Sequence, residues 1–228
     1  MSEFDRYGES YEQAVGDAIG FGRQEHAFYL EAKGRVLVEL ARREIGDPAR
    51  IHALDVGSGP GSLHPYLAEI GALEGVDVSQ ALVERAAAAN PAVRYRTYDG
   101  ETLPFADESF DLAFAVNVFH HVDPPDRAAL AAELARVVRP GGIVAVFEHN
   151  PLNPLTRLVV SRCEFDAGVE LLSTREVSAL LTRAGLQPVE RRYILFFPWR
   201  AAFLQRLEAR LGPVPLGAQH LTAARRSD

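Results

Sequence analysis

The chain has 228 residues, of which 47% are hydrophobic and 24% charged, a composition typical of one globular domain with a sizeable core. Its formal net charge of −7 argues against general binding to nucleic acid or to anionic membranes, because both require a basic surface. The single cysteine, Cys163, excludes an internal disulfide and any cysteine-built metal site.

Five short apolar runs alternate with helical patterns along the middle of the chain. They predict strands at 51–56, 73–78, 93–98, 110–116 and 143–148. Nearly continuous apolar character is typical of parallel strands that are buried on both faces. Helices are predicted between and after them, at 79–90, 123–138 and 173–185. This alternation indicates an α/β fold with a doubly wound sheet.

The two ends of the chain differ from this middle part. Residues 1–46 predict helices that precede the first strand. The last residues predict two final strands, 190–197 and 217–226, which are joined by a long crossover and form an antiparallel edge. Segment 150–172 contains two Asn-Pro pairs, and it is either a surface loop or a cover over a substrate.

A glycine-rich loop, GSGPG, follows the first strand and leads into a predicted helix. Ligands of open α/β sheets bind beyond the carboxyl ends of the strands, which is where this loop lies. The dinucleotide fingerprint G-x-G-x-x-G fits poorly, because Gly61 comes one position early and Pro60 lacks an amide hydrogen. A nicotinamide cofactor is therefore disfavoured, although the spacing alone does not exclude it.

Two carboxylates lie at the ends of the next two predicted strands. Asp77 lies 20 residues after Gly57, where an acidic side chain accepts hydrogen bonds from the ribose hydroxyls of an adenosine. Asp99 follows the third strand and can accept from an adenine amino group. These features indicate an adenosine-containing ligand without distinguishing NAD from S-adenosylmethionine.

Several motifs occur together in a fixed order between residues 51 and 148. They are DVGSGPG (55–61), GVDVS (75–79), LPF (103–105), SFD (109–111) and RPGG (139–142). With these motifs the sequence resembles class I S-adenosylmethionine-dependent methyltransferases. The similarity is strongest to the small-molecule branch that includes the ubiquinone and menaquinone biosynthesis methyltransferases.

The resemblance implies a Rossmann-like, seven-stranded, mostly parallel sheet with an antiparallel last strand and an N-terminal helical cap. It implies S-adenosylmethionine as the cofactor, with the glycines at its methionine end, Asp77 at the ribose and Asp99 at the adenine. The implied binding residues are Asp55, Gly57, Ser58, Gly59, Gly61, Asp77, Val78, Asp99, Gly100, Glu101 and Asn117.

We expect a single methyltransferase domain over residues 1–228. It comprises an N-terminal helical lid at 1–46, a cofactor-binding core at 47–150, and a substrate-side segment with the C-terminal strands at 151–228. The polar, acidic start lacks the apolar core of a signal peptide, and no window approaches the roughly 20 apolar residues of a membrane span. We expect a cytoplasmic monomer or homodimer that binds neither nucleic acid nor membrane.

Methylation of a hydroxyl group requires removal of a proton, and histidine is the usual base near neutral pH. His149, after the fifth strand, is the leading candidate, and His121 in the pair after the fourth strand is the second. The alternatives are that His149 and Glu148 only close their strand by hydrogen bonds, and that the pair His120-His121 is structural. A metal-assisted site would need acidic ligands here, and only Asp123 and Glu148 are candidates, so we expect no metal.

The predicted function is methyl transfer from S-adenosylmethionine to a small molecule, at a hydroxyl oxygen, with nitrogen and carbon as alternatives. An NAD-dependent oxidoreductase and a non-catalytic S-adenosylmethionine-binding module are the rival interpretations. Lysine occurs once, at Lys33, and we attribute the preference for arginine to base composition. Aromatic residues either line the substrate pocket or pack in the core; they are Tyr7, Tyr11, Phe21, Phe28, Tyr29, Phe165, Phe196, Phe197 and Trp199.

Overall fold

The computed structural model describes residues 23–163, 166, 168–197, 207–208 and 210–227. The strands are β1 (His52–Val56), β2 (Ala72–Asp77), β3 (Arg94–Thr97), β4 (Phe110–Val116), β5 (Val138–His149), β6 (Leu186–Ile194) and β7 (Gln219–Arg226). The helices are α1 (Arg23–Glu44), α2 (Gln80–Ala89), α3 (Arg127–Val137), α4 (Pro154–Val160) and α5 (Thr174–Arg183). Among these residues, no helix combines the length and the apolarity that crossing a membrane requires.

The seven strands form one sheet in the order β3-β2-β1-β4-β5-β7-β6. The sheet is parallel except for β7, which pairs antiparallel with β5 on one side and with β6 on the other. The seven-stranded sheet with an inserted antiparallel strand is therefore confirmed. The helical cap is confirmed for α1, whereas residues 1–22 lie outside the described residues.

The predicted antiparallel edge is confirmed, because the two last strands pair antiparallel at one end of the sheet, with β6 as the edge strand and β7 inside it. Six of the eight residues of β7 are buried, as expected for a strand with neighbours on both sides. Strand β6 is more exposed and contains Pro188, which a strand with a free side tolerates.

The local signals for the helices are confirmed by their caps. The Ser79 hydroxyl accepts a hydrogen bond from the Leu82 amide at the start of α2, and Ser173 with Glu176 forms a capping box at the start of α5. Helix α3 already ends at Val137, before the breaker at 140–142, and the breaker does not end regular structure. Strand β5 begins at Val138 and runs through the breaker, with a register shift opposite β4.

The helix predicted after the glycine loop is wrong. A short 3-10 helix, His64–Leu67, stands in its place. Proline occupies the first turn of this helix, and Gly71 follows soon after, so the sequence offers few residues that could extend a helix.

Segment 150–172 is fastened to the chain that precedes β7. The Asn150 side-chain amide donates to the Gly217 carbonyl at 2.7 Å, and the Asn153 amide donates to the Leu216 carbonyl at 2.7 Å. The Asn153 side chain also caps α4. The two Asn-Pro pairs thus have a structural role, and a covering role for this segment stays a prediction.

Helix α1 lies across one face of the sheet. Leu37 and Leu40 are fully buried in a cluster that also holds Phe114 and Phe147 of the central strands. At its C-terminal end, the Glu44 carbonyl accepts a hydrogen bond from Arg225, which also donates to the Gly141 carbonyl near the beginning of β5. The N-terminal half of α1 therefore extends toward the carboxyl ends of the strands.

Candidate functional site

The glycine loop is fastened to the carboxyl end of β2. The Gly57 and Ser58 amides both donate to the Val76 carbonyl, at 2.8 and 3.0 Å. Gly57 has a φ of +75°, and a Cβ atom there would lie 2.5 Å from Val118, so this contact admits glycine only. Gly59, with a φ of +53°, would have no atom within 4 Å of its Cβ. The open side of the loop is therefore at Gly59.

Gly61 was also predicted to contact the cofactor. Packing within the protein already requires a glycine at this position. A Cβ atom at this position would lie 2.5 Å from the Tyr95 hydroxyl and 2.7 Å from the Asn90 amide nitrogen. The Gly61 carbonyl accepts a hydrogen bond from the same Asn90 amide. The third glycine thus allows the loop to pack against the end of α2 and against β3.

Asp77 lies at the end of β2 beneath the open side of the loop. Its buried carboxylate accepts hydrogen bonds from the Gly59 amide at 2.8 Å and from the Ser79 amide at 2.9 Å, one on each oxygen. Burial raises the pKa of Asp77, and these two donors oppose the rise. The carboxylate has acceptor positions beyond those that the protein donors occupy, so it can still receive a hydroxyl group of a ribose.

The candidate adenine side is built from the residues after β2 and β3. A single Asp99 oxygen accepts from the Glu101 and Thr102 amides, both at 2.9 Å, and these bonds lower the pKa of Asp99. Gly100 has a φ of +86°, and a Cβ atom there would lie 3.4 Å from Val78. The structure thus brings Val78, Asp99, Gly100 and Glu101 together, and the other Asp99 oxygen remains for a donor.

Asp55, in β1, is the first of three polar side chains that contact one another in turn beneath the loop. Its Oδ2 lies 2.8 Å from His64 Nε2, and the opposite ring nitrogen of His64 contacts the Tyr95 hydroxyl. No sequence pattern links these three residues, because they come from β1, the 3-10 helix and β3. Asp55 Oδ1 and Ser58 Oγ are buried without a hydrogen-bond partner among the described residues.

These observations fit an adenosyl cofactor at the loop. The open side of Gly59 leaves room for close approach to backbone, and the Asp77 carboxylate can receive the ribose. The unpartnered oxygens of Asp55 and Ser58 can accept hydrogen bonds from an ammonium group.

A second polar group lies next to the loop, at the carboxyl ends of β4 and β5 and at the amino end of the antiparallel strand β7. Asn117 follows β4 with a φ of +58°, a conformation rare for residues other than glycine. Its Oδ1 lies 3.3 Å from the Gln219 amide nitrogen, which also lies 3.3 Å from His149 Nδ1. Gln219 was not predicted, because only the inserted position of β7 brings it here.

Glu148 organises the residues after β4. Its fully buried carboxylate accepts from the Val118 and Phe119 amides at 3.1 and 2.8 Å, and it lies 2.5 Å from His120 Nδ1. Burial alone would lower the pKa of His120, but the charges of Glu148 and Asp166 raise it to about 9. His120 is therefore a protonated partner of Glu148 at neutral pH.

Asp166 joins the two adjacent histidines. Its Oδ1 lies 3.2 Å from His121 Nε2 and 3.4 Å from His120 Nε2. Burial would raise the pKa of Asp166, but the contacts with the two histidines outweigh burial and hold the pKa well below its usual range. Nothing in the sequence pattern singled out Asp166, which lies in the least regular part of the chain.

His149, predicted as the leading base, has a different character in the structure. Burial and the positive charge of His120 together lower its pKa to about 3, and the charges of Asp166 and Glu148 offset them only in part. A group with so low a pKa is neutral near pH 7 and is a weak proton acceptor.

The aromatic residues predicted near the substrate are only partly placed. Phe28 is buried in the core cluster, and Tyr29 packs against that cluster, so core packing accounts for both. Phe196 and Phe197 are half-buried after β6. The others lie outside the described residues: Tyr7, Tyr11, Phe21, Phe165 and Trp199.

Comparison with known proteins adds three findings. Residues 54–146 match the family model described as a methyltransferase domain. The chain is 33% identical over 134 residues to a malonyl-[acyl-carrier protein] O-methyltransferase of Pseudescherichia vulneris, covering 58% of this chain and 52% of that protein. It is 31% identical over 144 residues to an uncharacterized methyltransferase of Synechocystis sp., covering 60% of this chain and 68% of that protein.

Among solved structures, the fold resembles an S-adenosylmethionine-dependent methyltransferase of Thermotoga maritima that is described as a possible histamine N-methyltransferase. The TM-score is 0.71 at 22% identity, and the match covers 98% of both chains. This similarity supports the fold. The chain spans only about half the length of the malonyl-[acyl-carrier protein] O-methyltransferase.

Proposed function

Because the chain belongs to the family of S-adenosylmethionine-dependent methyltransferases, we propose that it transfers a methyl group to a hydroxyl oxygen of a small molecule. The observation that carries this proposal is a group of histidines and carboxylates that adjoins the glycine loop: His120, His121, His149, Glu148 and Asp166. Val118 packs on Gly57 of the loop. His121 lies three residues after Val118, and its side chain contacts Asp166. A proton acceptor thus lies beside the candidate cofactor site.

In this proposal the glycine loop, Asp77 and the residues around Asp99 hold the cofactor. When bound, S-adenosylmethionine supplies an electrophilic methyl group on a positively charged sulfur. The protein has to align the acceptor oxygen with that methyl group and exclude water, and such alignment contributes about 7–11 kcal/mol to lowering a barrier.

We assign proton removal to His121. When its Nε2–H donates to Asp166 at 3.2 Å, the basic nitrogen of the neutral ring is Nδ1. The Asp166 carboxylate then fixes the ring orientation and stabilises the imidazolium that forms as the acceptor hydroxyl loses its proton. His149, held neutral, acts as a hydrogen-bonding group toward the acceptor, with Gln219 fixing its orientation.

A hydroxyl acceptor is supported by the presence of this base, because an alcohol or phenol must lose a proton whereas a neutral amine attacks through its own lone pair. The name of the Pseudescherichia relative also specifies an O-methyltransferase. The rival NAD-dependent oxidoreductase is disfavoured by the glycine spacing, and a purely binding module would have no use for a base beside the cofactor.

Substitution of Asp77 with asparagine is expected to reduce affinity for S-adenosylhomocysteine about tenfold. The variant keeps the size of the side chain but loses its charge, and a hydrogen bond to a charged group is worth ~1–1.5 kcal/mol more than a neutral one. Calorimetric titration measures the change. Glu69→Gln, at an exposed pair with Arg42, is the control and should bind as the wild type does; equal affinity in both variants would contradict the role of Asp77.

Removal of metal ions is expected to leave turnover unchanged. The ligand atoms of His120, His121 and Asp166 lie within 4.8 Å of one another, a spacing that a metal ion could use. However, His120 Nδ1 lies 2.5 Å from Glu148 and His120 Nε2 lies 3.4 Å from Asp166, so both ring nitrogens face carboxylates, an arrangement that suits a doubly protonated ring better than a metal ligand. Turnover before and after treatment with EDTA checks this, and a loss that zinc restores would contradict it.

The decisive test of the proposed function is methyl transfer itself. The protein is incubated with S-adenosylmethionine labelled in its methyl group and with a metabolite extract, and the labelled product is identified by mass spectrometry. We expect a labelled methyl group on oxygen. Label on nitrogen or carbon would contradict the proposed acceptor, and binding of S-adenosylhomocysteine without transfer of label would favour the binding module.

A further inference from the structure

Lys33 is the only lysine among 24 lysine and arginine residues, and its side chain is buried. Base composition explains why arginine is common in this chain. It does not explain why the one lysine occupies an interior position of α1, with only 5% of its surface exposed. Lysine is almost never fully buried unless it has a partner.

The position of Lys33 on α1 places it toward the polar residues at the end of β5, Glu148 and His149. Lys33 is four residues before Leu37 and seven before Leu40, so the three share the helix face that packs on the sheet. Since the other end of α1 is fastened near the beginning of β5, Lys33 lies toward the carboxyl end of that strand. There the positive charge of Lys33 lowers the pKa of His149, and the negative charge of Glu148 acts to raise the pKa of Lys33.

No carboxylate of the described residues forms an ion pair or a hydrogen bond with Lys33. Glu148 attracts it from a distance, but the oxygens of Glu148 already receive the Val118 and Phe119 amides and His120. Burial lowers the pKa of Lys33 to about 8, and Glu148 opposes this only partly. Among the residues that the structure describes, this buried ammonium group therefore has no direct partner, which is costly.

We propose that Lys33 binds an anionic oxygen group of the methyl acceptor, of the carboxylate or phosphate kind. The inference rests on the proposed function, and it makes acidic small molecules the substrate class. An ammonium group is a compact charge that can pair with either kind of anion, whereas the larger guanidinium group of arginine would need more room in this interior position. The acceptor's anion then supplies a partner that no described carboxylate supplies.

The first test separates this role from a structural one. Lys33→Met keeps a long unbranched side chain and removes the charge, so we expect the Tm to rise by at least about 2–4 °C. The control, Arg42→Met, lies on an exposed part of the same helix and should change the Tm by no more than about 1–2 °C. A fall in the Tm of Lys33→Met would show that the lysine stabilises the fold, and it would overturn the proposal.

The second test identifies the anion. A metabolite extract is divided by anion exchange into retained and unretained fractions, and each is offered to the wild type with methyl-labelled S-adenosylmethionine. We expect label in the retained fraction only, and at least about tenfold less with Lys33→Met. Label in the unretained fraction alone would overturn this inference while leaving the proposed function intact. Without label in either fraction the proposed function fails, and the Tm result still decides whether Lys33 is structural.

The cofactor also has a carboxylate, and calorimetry distinguishes that source. We expect Lys33→Met to bind S-adenosylhomocysteine as tightly as the wild type does. A loss of at least about tenfold would assign Lys33 to the cofactor rather than to the acceptor, and it would overturn the proposal.

Discussion

Substitution of His121 with alanine is expected to lower kcat by about 10²–10⁴-fold, the usual contribution of a positioned general base. The structure supports this size of effect because Asp166 holds the His121 ring at 3.2 Å and can stabilise its protonated form. Affinity for S-adenosylhomocysteine should not change, since His121 is assigned to the acceptor. Steady-state kinetics and calorimetry on the same preparation measure both quantities.

His149→Ala is the matched control for this prediction. Its low pKa makes His149 a poor proton acceptor, so we expect kcat to fall by less than about tenfold. A larger loss with His149→Ala than with His121→Ala would show that the sequence-based choice of His149 as the base was correct and that our assignment is wrong.

Removal of the Glu148 carboxylate, as in Glu148→Ala, is expected to destabilise the fold by about 3–5 kcal/mol. The variant leaves His120 buried with a weaker counter-charge and leaves the Val118 and Phe119 amides without their acceptor. For a chain of this size, the Tm should fall by roughly 6–20 °C. Thermal unfolding measures the change, with Glu69→Ala at the protein surface as a control that should differ little from the wild type.

The pair of Glu148 and His120 also predicts that the stability of the fold depends on pH. The pKa of His120 is raised from 6.5 to about 9 in the folded protein, so its stabilising contribution is complete below pH 6.5 and is lost as the pH rises through about 9. The difference in Tm between the wild type and Glu148→Ala should therefore be larger at pH 6 than at pH 9.5. An equal difference at both values would contradict a charged pair.

The fold and the candidate cofactor site could largely be predicted from the sequence because their signals are local. Buried strands, capped helices and a glycine turn each occupy a few consecutive residues, and Asp77 follows its strand directly. The contacts of Gly61 with Asn90 and Tyr95 were not predicted, because those residues lie about 30 positions away in the sequence, and its contact with the cofactor stays a prediction.

The acceptor side could not be predicted to the same extent. Gln219 reaches Asn117 across 102 positions of the sequence, and only the insertion of β7 between β5 and β6 brings the two together. Asp166 and Lys33 come from an irregular segment and from the first described helix. No periodic sequence pattern predicts that Asp166 and Lys33 lie near the histidines at the ends of β4 and β5. The covering role of residues 1–46 stays a prediction.

Calorimetric titration of the wild type with S-adenosylhomocysteine, and separately with NADH, tests the central claim most directly. The open side of Gly59, the Asp77 carboxylate and the residues around Asp99 predict one S-adenosylhomocysteine bound per chain and no measurable binding of NADH. Binding of NADH in place of S-adenosylhomocysteine, or binding of neither, would contradict the account.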